Sequence, residues 1–138
     1  MSQIANREAG LVGAVLETGE MYAGLIADGF HVDPASIRIA LRAKQGPGHI
    51  FLVSDSMATT GSATKDFILN DRHIVSRNGK LTLSDGTLAG AELNLEMAVQ
   101  FAVEVVPGFG VGPVDDDYQM SPGVLRYCSI GPIGTAFF

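Results

Sequence analysis

The sequence predicts an α/β fold: a strand–loop–helix–strand unit with a parallel sheet, followed by a small antiparallel β insertion. Three observations carry that prediction. Two continuous apolar runs, at residues 22–27 and 49–53, read as buried strands, because parallel strands covered on both faces lose their polar alternation. Between them, Asp33-Pro34 is a strong helix start. Beyond residue 66, short β-like runs are separated by Asn70-Asp71, Asn78-Gly79 and Asp85-Gly86, which is hairpin chemistry.

Taken in order, residues 11–16 form an apolar run with small side chains that reads as a short buried helix or turn. After the 22–27 strand, Asp28-Gly29-Phe30-His31 is a loop at its C-terminal end. Asp33 can then cap the free backbone N–H groups of a helix, and Pro34 fits the first helical position, where its missing N–H costs nothing. That helix is expected to reach about Lys44, with Ile37, Ala40 and Leu41 on one face, and to stop at Gln45-Gly46-Pro47-Gly48. The 49–53 strand ends at Ser54-Asp55. The antiparallel insertion is expected over residues 67–83, with Thr87-Leu88-Ala89-Gly90 as a loop. A last helix is expected over residues 91–106, where Ala98, Phe101, Ala102 and Val105 recur at helical spacing. Residues 107–138 combine glycine and proline, the acidic run Asp115-Asp116-Asp117 and an apolar end, and they support neither a helix nor a strand.

A length of 138 residues allows one domain with a real core. Nine Lys and Arg against 15 Asp and Glu leave a formal charge of −6, which repels phosphate backbones and anionic lipid. No nucleic-acid or membrane partner is therefore expected, although one or two placed cations can still hold a small anion. A single cysteine, Cys128, excludes an internal disulfide framework and a cysteine-based zinc cluster, and a cytoplasmic location is expected. The first residues carry no apolar signal segment, and no stretch is long and apolar enough to span a bilayer.

Asp55 is the sharpest chemical candidate. It follows a five-residue apolar strand, and active sites of open α/β sheets and α/β barrels lie at the C-terminal ends of parallel strands. There a carboxylate can serve as metal ligand, general base, or simply the cap of a turn. His31 ends the preceding strand and makes a shared site plausible, or is a structural histidine. Asp28 flanks it, as does Asp33, which is better explained as a helix cap. Arg7 could pair with a phosphate or carboxylate, or lie solvated at the surface. Leu88, Ala89 and Gly90 could present backbone N–H groups to an anion, but the Lys and Ser or Thr of a P-loop are absent. His49 and His73 read as structural, and none of the three histidines stands at metal-ligand spacing.

Four segments in fixed order carry a resemblance: Asn6-Arg7-Glu8-Ala9-Gly10-Leu11-Val12-Gly13-Ala14, Ile26-Ala27-Asp28-Gly29-Phe30-His31-Val32, Leu52-Val53-Ser54-Asp55, and Gly86-Thr87-Leu88-Ala89-Gly90-Ala91. The series resembles the N-acetylglucosamine-6-phosphate deacetylase family of the amidohydrolase superfamily, over about residues 1–106. That resemblance implies the last βα units of a metal-dependent (β/α)₈ barrel with an antiparallel insertion. It also implies hydrolysis of the acetamide of N-acetylglucosamine 6-phosphate to glucosamine 6-phosphate and acetate. Asp55 matches the aspartate that acts as base towards the metal-bound water and then as acid towards the leaving amine. Asp28, Gly29, Phe30 and His31 match a substrate-contacting segment, Arg7 a phosphate-contacting arginine, and Leu88, Ala89 and Gly90 a second substrate loop. The family implies a divalent cofactor, zinc or similar, held by a Glu and two His upstream of the matched region. It also implies a homodimer with the sugar site near the interface. This chain is expected to begin after those ligands, to supply about two of eight barrel strands, and by itself to be inactive. A divergent tail is expected over 107–138. The alternative is a non-catalytic fragment or pseudogene product that at most associates through exposed strand edges or binds a sugar phosphate.

Overall fold

A computed structural model describes residues 2–107 and the backbone at 111–112 and 125–126. Asp115-Asp116-Asp117, Cys128 and the apolar end lie outside the described residues. The first part of the chain forms α1 (Gly10–Glu17), β1 (Ala23–Ile26), α2 (Pro34–Ala43) and β2 (Ile50–Val53). The expected βαβ unit is present: β1 and β2 pair in parallel, with Ile26 opposite Val53. Asp33 starts α2 as expected, its carboxylate accepting the Ala35 N–H at 2.7 Å with Pro34 in the first turn.

One face of this sheet carries the core. Leu25, Ala27, Ile50 and Leu52 pack with Leu16 of α1, Ile37 of α2, and residues that follow the insertion. Those later residues include Ala98 and Ala102 of α3 (Leu95–Val105), at the helical spacing read from sequence. Ile37 is fully buried, and burial of such a side chain stabilises by about 1.5–3 kcal/mol. The Arg38 guanidinium donates to the Val105 carbonyl at 3.0 Å and ties α2 to the end of α3. The opposite face departs from the expectation of strands covered on both sides: Gly24 is exposed and Phe51 and Val53 are only half-buried.

The insertion is a meander of β3 (Asp66–Leu69), β4 (Arg72–Arg77), β5 (Lys80–Thr82) and β6 (Leu88–Ala91), in that order across the sheet. Asn70 and Asp71 both adopt positive φ, as do Asn78 and Gly79, which is the conformation a two-residue hairpin turn requires. Two expectations are corrected here. Leu88, Ala89 and Gly90 are not a loop but most of β6, because Thr82 pairs with Leu88 and Lys80 with Ala91. The last helix starts at Leu95 rather than Ala91, because Asn94 accepts the Met97 N–H at 2.8 Å and fixes the N-terminus there.

Two two-residue strands, β7 (Val111–Gly112) and β8 (Leu125–Arg126), complete the parallel sheet in the order β1-β2-β8-β7. They replace the expectation of no regular structure at those positions, since the β2 edge offers backbone partners at Phe51. No helix among the described residues is long and apolar enough to cross a membrane.

Candidate functional site

The site is set by register. Ile26 lies opposite Val53, so Asp28 and Asp55 each stand two residues past a paired position, at the same C-terminal edge. The C-terminal end of α1 and the exit of α2 meet near the strand starts, where Gln45 N–H donates to the Leu16 carbonyl at 2.9 Å. The Lys44 ammonium also donates there, to the Thr18 carbonyl at 3.0 Å. α2 therefore runs from the C-terminal end of β1 back towards the strand starts, and Arg7 lies just ahead of α1 in the sequence.

Asp28 is the most enclosed of these groups, with a side chain 6% exposed. Its Oδ1 accepts the Phe30 and His31 N–H groups, each at 2.9 Å, and its Oδ2 lies 2.7 Å from His31 Nδ1. The positive φ of Gly29 turns the chain tightly enough for this, and a methyl group there would meet the Phe101 ring at 2.9 Å. His31 is 17% exposed.

Asp55 is exposed and holds φ at +50°, a left-handed conformation uncommon outside glycine and found where surrounding structure enforces it. The enforcing structure is β6. Ala91 N–H donates to the Asp55 carbonyl at 3.0 Å, Met57 N–H donates to the Ala91 carbonyl at 3.1 Å, and Ser56 Oγ donates to the Leu93 carbonyl at 2.6 Å. Gly90 sits against Met57 in the same clasp. The fold thus joins Asp55 to the strand of Leu88, Ala89 and Gly90, and sets Asp28, Phe30 and His31 at the neighbouring strand end. Arg7 is exposed and enters none of the ion pairs among the described residues.

A cavity of about 320 Å³ lies beside Asp28 and Phe30, bounded by the Asn78-Gly79 turn, Glu92, and Phe101 and Glu104 of α3. Asp55 and His31 are not among its lining residues. Sequence reasoning misses Glu92, whose only signal is a carboxylate directly after β6. Lys65 lies 2.8 Å from Glu92 Oε1 and Ser76 bonds Oε2, and these bonds, the lysine's first, hold the carboxyl below its ordinary range. Among the described residues, no group of three or more His, Cys, Asp or Glu gathers to hold a metal.

An α/β layer with carboxylate and imidazole groups at neighbouring parallel strand ends has the architecture of a strand-end enzyme. No protein-family model matches the chain. An N-acetylgalactosamine-6-phosphate deacetylase of Shewanella sp. strain ANA-3 is 40% identical over 102 residues, which are 74% of this chain and 26% of that protein. A putative N-acetylgalactosamine-6-phosphate deacetylase of Escherichia coli K12 is 31% identical over 136 residues, covering 98% of this chain and 78% of the relative. The solved N-acetylglucosamine-6-phosphate deacetylase of Pasteurella multocida superposes with a TM-score of 0.67 at 34% identity, over 75% of this chain and 26% of that one. The chain belongs to the family of N-acetylglucosamine- and N-acetylgalactosamine-6-phosphate deacetylases, which are amidohydrolases. It spans about a quarter of the Shewanella relative's length. Its likeness to the K12 relative extends past Val106, further than the sequence motifs carry it.

Proposed function

We propose that this chain supplies substrate-contacting and proton-transfer groups for hydrolysis of the acetamide of an N-acetylhexosamine 6-phosphate. The reading rests above all on the register of Ile26 with Val53, which aligns the Asp28 and Asp55 strand ends, with β6 clasped to the second. In this reading β1 and β2 are neighbouring strands of a (β/α)₈ barrel, and the site opens on its C-terminal face. Arg7 pairs with the 6-phosphate, His31 contacts the sugar with Gly29 and Phe30 of the loop that Asp28 holds, and Leu88, Ala89 and Gly90 line its other side. Asp55 takes a proton from the attacking water. As the water oxygen joins the carbonyl carbon and the C–N bond breaks, Asp55 delivers that proton to the leaving nitrogen. An amine leaves an amide only when protonated, so a single exposed carboxylate suits both steps.

The family's divalent metal does not fit the described residues, which gather no three-ligand group, so their share is proton transfer and substrate contact. In this reading the enzyme is cytoplasmic and pairs as a homodimer. Both epimers are candidate substrates, since the relatives are named for galactosamine and glucosamine sugars alike.

A chimera tests the reading. These residues would replace the matched part of the Pasteurella enzyme, and acetate release would be followed with both sugar phosphates. The expected result is turnover that Asp55→Asn lowers by about 10²–10⁴-fold with substrate binding retained. A folded, substrate-binding chimera whose turnover ignores Asp55→Asn would overturn it.

A further inference from the structure

The carboxylate of Asp28 is already committed to its own loop. It accepts two backbone N–H groups, from Phe30 and His31, and its second oxygen lies 2.7 Å from His31 Nδ1. An ionised carboxylate only accepts hydrogen bonds, so the nitrogen facing it must carry a hydrogen. We propose that Asp28 is a positioning residue, not a substrate contact: it fixes neutral His31 as the Nδ1–H tautomer and leaves Nε2 as a lone-pair acceptor. Which ring nitrogen is protonated follows from the bond the other makes, and here the partner is anionic, close and enclosed.

This assignment narrows what His31 can recognise. Nε2 has no partner among the described residues, and the ring is partly exposed. In that tautomer Nε2 meets a donor, such as a sugar hydroxyl or an amide N–H, and not a phosphate or carbonyl oxygen. That consequence rests on the deacetylase reading; the tautomer does not. His73 provides the opposite arrangement in the same molecule, since its Nε2, not its Nδ1, lies 2.7 Å from Asp66.

Long-range ¹H–¹⁵N NMR of the labelled chain, recorded where the ring nitrogen shifts show the neutral form, reads both rings at once. Wild-type His31 should show a protonated-type Nδ1 and a bare Nε2, and His73 the reverse. In Asp28→Asn the side-chain oxygen can keep both backbone bonds only by turning its NH₂ towards His31 Nδ1. The His31 proton then moves to Nε2 and its pattern inverts, while His73 is unchanged. A bare Nδ1 in wild-type His31 would overturn the proposal, as would a folded Asp28→Asn chain that keeps the wild-type pattern. The wild-type spectrum decides the tautomer even where the variant fails to fold. Failure of the deacetylase reading would appear separately, as a lack of response to sugar phosphates.

Discussion

Met57 fills the space that a side chain on Gly90 would need: a methyl group on Gly90 would lie 2.5 Å from Met57 Cγ and 3.0 Å from its sulfur. Gly90 also holds φ at +89°, a conformation that side chains rarely adopt. The pair stands where β6 clasps the segment after Asp55, so crowding here displaces the candidate base.

Gly90→Ala should destabilise the chain by about 1–3 kcal/mol, read as a lower urea midpoint. Adding Met57→Ala should recover part of the loss, since it removes the collision but not the backbone strain. Full recovery would show that φ at this position carries no strain.

Glu92 couples stability to pH. Its carboxyl is held below the ordinary range by Lys65 and then Ser76, so the charged form is favoured in the folded state. Its contribution is complete above the unfolded glutamate value of about 4.3 and is lost as pH falls through the lowered folded value. Urea unfolding of wild type and Glu92→Gln should therefore differ at about pH 7 and converge towards about pH 3. A constant gap across that range would contradict the assignment.

Ile37 is fully buried where α2 meets the sheet and α3. Ile37→Ala should cost about 2–5 kcal/mol in the same experiment, through lost burial and the cavity left behind.

Asp55→Asn should change stability by no more than about 0.5 kcal/mol, because the side chain is exposed and asparagine tolerates the left-handed backbone. A larger loss would mean that the carboxylate holds the fold and does not stand free for chemistry.

Local chemistry made much of this fold readable. Asp33-Pro34 announces α2, and two asparagine-led turns announce the hairpins, because each acts within a few residues. Leu88-Ala89-Gly90-Ala91 shows no alternation and contains a glycine, so its strand character comes from pairing with β5. Asn94 is hidden because apolar spacing continues upstream of it, whereas the cap bond sets the boundary. At the site, Asp28, His31 and Asp55 follow from their places at strand ends. The Asp28–His31 bond and the hold of Lys65 and Ser76 on Glu92 depend on loop geometry and inter-strand contacts that spacing does not encode.

In the proposed function the strand ends of β1 and β2, with Arg7, receive an acetylated amino sugar bearing a 6-phosphate. Thermal unfolding of the chain with N-acetylgalactosamine 6-phosphate or N-acetylglucosamine 6-phosphate tests it most directly, because a ligand that binds only the folded state raises the midpoint. A rise is expected with the phosphorylated sugars, removed by Arg7→Ala and retained by His73→Ala on the β3–β4 hairpin. No rise with either sugar phosphate, or an equal rise in wild type and Arg7→Ala, would contradict it.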